Sequence, residues 1–161
     1  MPTAFVAVIR AEEIPAGPAA DLLTALTGTG ARSVHTLRDL DTCGEPEDTV
    51  ALLLDLPPLA AAGQAEQVAA VLATLGELDD VRASGVVVAT VRPVTDTLKQ
   101  VAPSGALTGT ADREHHRLVA APIATRLGLL RAALAREPEA RTAGEILAAL
   151  AWAGASVVAT G

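Results

Sequence analysis

A threonine-rich segment with charged ends is followed, after one turn signal, by a second charged segment. The first reads Arg92-Pro93-Val94-Thr95-Asp96-Thr97-Leu98-Lys99, and the second contains Asp112-Arg113. A guanidinium offers two parallel N–H donors to a phosphate, so Arg113 is chemically suited to bind one. It is equally suited to a surface ion pair with a nearby acid, worth less than about 1 kcal/mol. The residue types leave both interpretations of Arg113 open.

The order of these residues resembles the arm of the methylerythritol phosphate cytidylyltransferase family. In that family a Pro-Val-Thr-Asp-Thr-(aliphatic)-Lys strand leads through a turn to a Thr-x-Asp-Arg segment, which here is Thr110-Ala111-Asp112-Arg113. The resemblance covers roughly residues 50–161. It implies that Thr97 and Arg113 reach into a neighbouring subunit and contact a sugar phosphate. It also implies a homodimer formed through the arm.

Asp55 directly follows the apolar run from Val50 to Leu54. In the family an Asp at the matching place helps to hold a metal ion, so the resemblance implies Mg²⁺ at Asp55, with CTP as the nucleotide. Magnesium usually takes one or two carboxylates together with substrate phosphates. An Asp at the carboxyl end of a strand is also a common turn residue, so that structural role is the alternative for Asp55.

The segment after the first apolar run lacks the features of a phosphate-binding loop. Nucleotidyltransferases of this type use glycine N–H groups, an Arg and a Lys to neutralise a triphosphate. Here residues 10–18 contain one glycine, two prolines that remove N–H donors, and the acidic pair Glu12-Glu13. A carboxylate about 6 Å from a phosphate costs roughly 3 kcal/mol at an effective dielectric constant near 20. The sequence therefore predicts that much or all of the transferase chemistry is lost.

Three functional hypotheses follow. The first is a degenerate, dimeric binding or scaffolding protein with little transferase activity. The alternative is an active, shortened cytidylyltransferase that transfers CMP from CTP to a sugar-alcohol phosphate through Asp55, Thr97 and Arg113. The third is an unrelated α/β protein with an accidental match, which a structure without a projecting hairpin after Val91 would favour.

Length and charge exclude several other classes. A chain of 161 residues is long enough for one domain, which we take to span residues 1–161. The net charge of -7 argues against nucleic-acid binding, because phosphate contacts need clustered basic residues. No run of about 18 apolar residues predicts a membrane span. The single cysteine, Cys43, is expected to be a small surface or semi-buried residue and forms no internal disulfide. With no evident signal peptide, a cytoplasmic location is expected.

Hydrophobic periodicity predicts an α/β fold with a mostly parallel open sheet, in a Rossmann-like nucleotidyltransferase-type domain. The predicted strands are residues 4–9, 32–37, 50–54, 85–91 and 155–159. The predicted helices are residues 18–26, 65–75, 125–136 and 142–152. Residues 95–121 alternate around Pro103-Ser104-Gly105 and predict a projecting β-hairpin arm. Trp152 is expected to pack in the core.

Overall fold

A computed structural model of the protein describes residues 4–11, 24, 26, 28–55, 64–79 and 85–161. Six strands form one sheet: β1 (Phe5–Ile9), β2 (Ala31–Thr36), β3 (Val50–Leu54), β4 (Val86–Pro93), β7 (Arg117–Arg126) and β8 (Ser156–Thr160). Two more strands form a separate sheet: β5 (Leu98–Val101) and β6 (Leu107–Ala111). Within these ranges the α-helices are α1 (Gln64–Asp79), α2 (Leu127–Arg136) and α3 (Ala143–Trp152).

The six-stranded sheet has the order β2-β1-β3-β7-β4-β8. The pairs β1–β2, β1–β3 and β4–β8 are parallel, whereas β7 runs antiparallel to both of its neighbours. The apolar runs of β1 and β3 are buried along their whole length, as a central strand covered on both faces requires. The predicted fold class, a mostly parallel α/β sheet with a projecting hairpin, is confirmed.

Alternate residues of each strand face opposite sides of the sheet and build two separate core layers. On one face Val6, Val8 and Leu53 pack with residues of α2 and α3. On the other face Phe5 and Ile9 pack with residues of α1. Because β1 and β3 contribute to both layers, each anchors helices on both sides of the sheet.

β7 is the main departure from the prediction. Residues 117–121 were expected in the hairpin and residues 125–126 in a helix, but all of them belong to this ten-residue strand. Thr125 is buried, and its hydroxyl donates to the carbonyl of Val86 at 3.0 Å, which holds the residue in the sheet. The helix starts only at Leu127, whose N–H donates to the Thr49 carbonyl at 2.8 Å. Pairing with two neighbouring strands therefore outweighs the helical pattern here.

The arm is a hairpin of β5 and β6 that turns as the sequence predicts. The N–H of Ala102 donates to the Ala106 carbonyl at 2.8 Å, and Gly105 has a φ of 85°. That backbone conformation favours glycine because a Cβ would clash with the backbone. A short 3-10 helix, Arg113–His115, then joins β6 to β7.

Three smaller expectations are wrong. Helix α1 continues through Gly76 to Asp79, because Gly76 does not have the positive φ of a helix stop and Leu78 still packs against the core. Trp152 is 68% exposed instead of buried, since it lies on the exposed face of α3 together with Glu145 and Ala148. Cys43 is buried beneath α2 and α3.

Some of the predicted features lie partly or wholly outside the described residues. Of the predicted helix over residues 18–26, most lies outside the described residues, as do Glu12 and Glu13. Within the described ranges, no helix has the length and apolar character needed to cross a membrane.

Helix α3 begins with a capping box that also fixes the residue before it. The Thr142 hydroxyl accepts the Glu145 N–H at 3.2 Å, and a Glu145 carboxylate oxygen accepts the N–H groups of Thr142 and Arg141, both at 2.9 Å. The hydrogen bond from Thr142, followed by that from Arg141, lowers the pKa of Glu145 below its ordinary value of 4.5. The ionised carboxylate therefore holds the backbone at Arg141 in place.

We expect Glu145→Gln to lower the free energy of unfolding near neutral pH and to have less effect in acid. The folded-state pKa is depressed, so this stabilisation is present above the unfolded-state pKa and is lost as the pH falls through the folded-state pKa. Urea unfolding of both proteins between about pH 7 and about pH 3 measures the difference. Glu139→Gln, at an exposed acid without a hydrogen bond among the described residues, is the control. A difference that grows toward acidic pH would contradict the assignment.

Candidate functional site

Arg10 and Asp55 meet at the carboxyl ends of two adjacent parallel strands. The last residue of β1, Ile9, is in register with the last residue of β3, Leu54. The residue that follows each strand therefore lies beside its counterpart, and both point to the face covered by α2 and α3. Carboxyl ends of parallel strands are where open α/β sheets usually bind ligands.

The two side chains form a direct ion pair. Nε and Nη2 of Arg10 both contact Oδ1 of Asp55, and Nη1 of Arg10 donates to the Arg141 carbonyl at 2.9 Å. The Arg10 side chain is 19% exposed and that of Asp55 is 40% exposed. The pair is thus partly shielded from water, and the backbone that the α3 capping box fixes helps to orient it.

This arrangement does not fit a magnesium site. A metal ion on either oxygen of this carboxylate would lie close to the Arg10 guanidinium on Oδ1, and the two cations would repel each other. Across the described residues, no three His, Cys, Asp or Glu side chains gather in a group that could hold a metal ion. The metal role of Asp55 stays a prediction from the resemblance, and the geometry fits an ion pair.

The arm brings the two predicted segments together at its base. Nη1 of Arg113 donates to the carbonyl of Thr95 at 2.8 Å, so the guanidinium is tied to the segment that carries Thr97. Thr97 is exposed, as is Arg113, and the Arg113 Nε lies 3.9 Å from a carboxylate oxygen of Glu114. An exposed pair at that distance contributes little. The phosphate role of Thr97 and Arg113 stays a prediction.

Asp112 organises the other polar side chains at this end of the arm. Its Oδ1 accepts the Glu114 N–H at 3.0 Å, its Oδ2 lies 3.0 Å from Nδ1 of His115, and its carbonyl lies 2.8 Å from Nδ1 of His116. Farther along, Nζ of Lys99 donates to the Thr110 hydroxyl across β5 and β6 at 2.8 Å. These contacts fix the shape of the 3-10 turn and the hairpin. In the described part of the chain, no hydrogen bond or ion pair joins them to Arg10 or Asp55.

A cavity of about 570 Å³ opens beside Arg10 and was not predicted. Its lining includes Arg38 after β2, Arg131 on α2 and Arg141 before α3. These arginines are far apart in sequence and share no motif spacing, so only the packing of α2 and α3 on the sheet brings them together. The sequence signal that could have located its edge is Arg10, a charged residue after a fully buried strand.

Comparison with known proteins gives a match in structure and none in sequence. No protein-family model and no curated protein sequence matches the chain. The fold resembles that of 2-C-methyl-D-erythritol 4-phosphate cytidylyltransferase from Thermus thermophilus, with a TM-score of 0.61 and 20% identity over 96% of this chain and 86% of that chain.

Two further solved structures give the same result. The 4-diphosphocytidyl-2C-methyl-D-erythritol synthase from Anaerococcus prevotii has a TM-score of 0.62 and 14% identity, covering 98% of this chain and 87% of its own. The 2-C-methyl-D-erythritol 4-phosphate cytidylyltransferase from Francisella tularensis has a TM-score of 0.61 and 16% identity, covering 98% and 91%. The likeness inferred from the arm is confirmed for the fold, and it extends beyond residues 50–161. At these identities it is a likeness of fold alone.

A double-mutant cycle tests the pairing of Arg10 with Asp55. Arg10→Gln and Asp55→Asn are each expected to lower the free energy of unfolding, because each leaves the other charge half-buried without its partner. The double variant should be more stable than the summed effects predict, by about 1 kcal/mol. Urea unfolding measures all four proteins. Asp55→Asn combined with Arg32→Gln, whose guanidinium lies near Glu45 instead, should be additive. Additivity in the Arg10–Asp55 cycle itself would contradict the pairing.

Proposed function

We propose that this protein is a dimeric binding or scaffolding protein built on the cytidylyltransferase fold, with little or no transferase activity. The observation that carries the proposal is the ion pair of Arg10 with Asp55. The pair joins the cation that directly follows β1 to the acid that the resemblance assigns to the metal. Each group neutralises the other at the place where the family performs its chemistry.

Electrostatics explains why this pairing opposes nucleotidyl transfer. Attack on the α-phosphorus of CTP needs cations and N–H donors that stabilise the charge developing on the triphosphate. Arg10 already directs two donor nitrogens to Asp55 and a third to the Arg141 carbonyl. The sequence continues from Ala11 into Glu12-Glu13, which adds two negative charges and no cation. Binding a triphosphate there requires breaking the pair first.

The exposed apolar side chains on and beside the arm support the dimer. Leu107 on β6 is 71% exposed, Val101 on β5 is 59% exposed, and Leu118 at the start of β7 is 54% exposed. A two-stranded hairpin is marginally stable in water unless another surface covers it. A second copy of the chain, which carries the same arm, supplies such a surface through a self-complementary interface. The proposal includes a cytoplasmic location, supported by the single cysteine.

An active, shortened cytidylyltransferase is the second candidate. The observation that favours it is the hydrogen bond from Arg113 to the Thr95 carbonyl, which holds the guanidinium close to the segment of Thr97. Both side chains are exposed at the base of the arm, where a partner subunit could present a sugar phosphate to them. CTP would then have to displace Asp55 from Arg10.

Leu107→Glu is expected to convert the dimer into a monomer. A carboxylate on the arm would be buried against an apolar surface in the dimer and would be solvated in the monomer. Light scattering coupled to gel filtration measures the molar mass. Trp152→Glu is the matched control, because Trp152 is 68% exposed and lies outside the arm, on α3. A monomeric parent protein, or a dimer that survives Leu107→Glu, would contradict the arm interface.

The second candidate makes its own prediction about Arg113. If the chain transfers CMP, Arg113→Gln should lower the rate at least about tenfold, since a bidentate contact with the sugar phosphate is lost. Arg117→Gln, which removes a neighbouring exposed arginine of the arm, should leave the rate within about twofold. Pyrophosphate release from CTP measures the rate. Equal effects of the two substitutions would exclude this role for Arg113.

A further inference from the structure

The cavity beside Arg10 concentrates positive charge in an acidic protein. Four of the eleven arginines line it, together with one aspartate, Asp41. Asp55 neutralises Arg10, so the rest of the lining has a formal charge of +2. The whole chain carries a net charge of -7. A cluster of like charges is unfavourable unless a ligand or another group offsets it, so this concentration indicates an anion-binding surface.

Two of these guanidiniums are held in place by neutral groups that do not cancel their charge. Nε of Arg131 donates to the Leu40 carbonyl at 3.1 Å, Nη1 donates to the Glu45 carbonyl at 3.4 Å, and Nη2 donates to the Cys43 carbonyl. A guanidinium has five N–H donors, so Arg131 keeps two for other partners. The side chain is therefore oriented before any ligand binds, which lowers the entropic cost of binding.

Arg141, just before α3, shows the same pattern. Its Nη1 donates to the carbonyls of Pro138 and Ala140, at 2.6 and 3.0 Å, and within the described residues its Nε and Nη2 have no hydrogen-bond partner. Its own carbonyl accepts Nη1 of Arg10, so the two arginines are fixed relative to each other. Arg141 thus offers an oriented edge with unused donors.

The remaining wall of the cavity is aliphatic. Leu37, Leu40, Leu134 and Pro138 contribute to it, and no aromatic residue lines it within the described part of the chain. Phe5 packs on the opposite face of the sheet, and Trp152 is not part of the lining. A nucleotide base usually stacks on aromatic side chains, which this lining lacks, whereas an alkyl chain needs only apolar surface. A volume of about 570 Å³ suits a small organic molecule.

We propose that this cavity binds an aliphatic phosphate or diphosphate, with the anionic head at Arg131 and Arg141 and the alkyl body against the leucine wall. The arm and its oligomeric state play no part in this site. A binding experiment therefore tests this cavity whether or not the proposed dimer exists.

Octyl phosphate is the probe that tests both the arginines and the aliphatic wall. Isothermal titration calorimetry measures its binding to the full-length protein. Saturable binding with a dissociation constant of roughly 1 mM or below is expected. Inorganic phosphate and octanol each carry one half of the probe, and each should bind at least about tenfold more weakly. Added salt should weaken the binding of octyl phosphate, because it screens the arginines.

A matched pair of substitutions on α2 locates the site. Ala135 lines the cavity and Ala132 does not, and both are exposed on the same helix. Ala135→Glu should weaken octyl phosphate binding at least about tenfold through repulsion, while Ala132→Glu should change it less than about twofold. Both variants should keep the parent far-ultraviolet circular dichroism spectrum.

Four outcomes would overturn the proposal. They are the absence of saturable binding, equal effects of Ala135→Glu and Ala132→Glu, equal affinity for inorganic phosphate and octyl phosphate, and equal affinity for octanol and octyl phosphate. The last two would remove the role of the aliphatic wall and that of the arginines, respectively.

Discussion

The pairing of β7 with both of its neighbours is the constraint on which the rest of the structure depends. β2, β1 and β3 lie on one side of this strand and β4 and β8 on the other, so among the described strands no other joins the two halves of the sheet. Thr125 adds a buried hydrogen bond to the Val86 carbonyl, and Thr90 of β4 adds one to the Pro122 carbonyl at 2.9 Å. The same strand begins outside the core, at the arm, and ends where α2 starts. One strand thereby links the arm, the sheet and α2, the helix that carries Arg131.

The sequence predicts most of this fold where a single physical effect dominates. The apolar runs of β1, β3 and the first half of β4 are buried strands, and the turn at Gly105 follows from its backbone requirement. β7 escapes prediction because its ten residues mix arginine, threonine and proline, and only strand pairing that is distant in sequence makes them a strand. Local propensity favours a helix from Thr125, and tertiary hydrogen bonding overrides it.

The candidate site also contains one part that the sequence could predict and one part that it could not. Arg10 and Asp55 each follow a strand of five residues, and the parallel register that brings them together is a property of the sheet. Pairing β1 with β3 from the sequence would have been enough to place the two charges side by side. Arg131 and Arg141 offer no such signal, because their approach to Arg10 depends on how α2 and α3 pack on the sheet.

The fold of this protein and the residues at its candidate site favour different functions. The fold resembles that of solved cytidylyltransferase structures, while the charges at the ends of β1 and β3 neutralise each other. A fold of this kind supports many functions, and the residues of the site decide which one operates. A cytidylyltransferase-like fold in which Arg10 and Asp55 pair with each other is consistent with a protein that binds a ligand without turning it over.

The most direct test is phosphorus NMR of the parent protein incubated with CTP, 2-C-methyl-D-erythritol 4-phosphate and Mg²⁺. If the protein lacks transferase activity, as proposed, the three phosphate signals of CTP persist unchanged, as in a sample without protein. Growth of a pyrophosphate signal together with a cytidine diphosphate ester, at a rate proportional to the protein concentration, would contradict it.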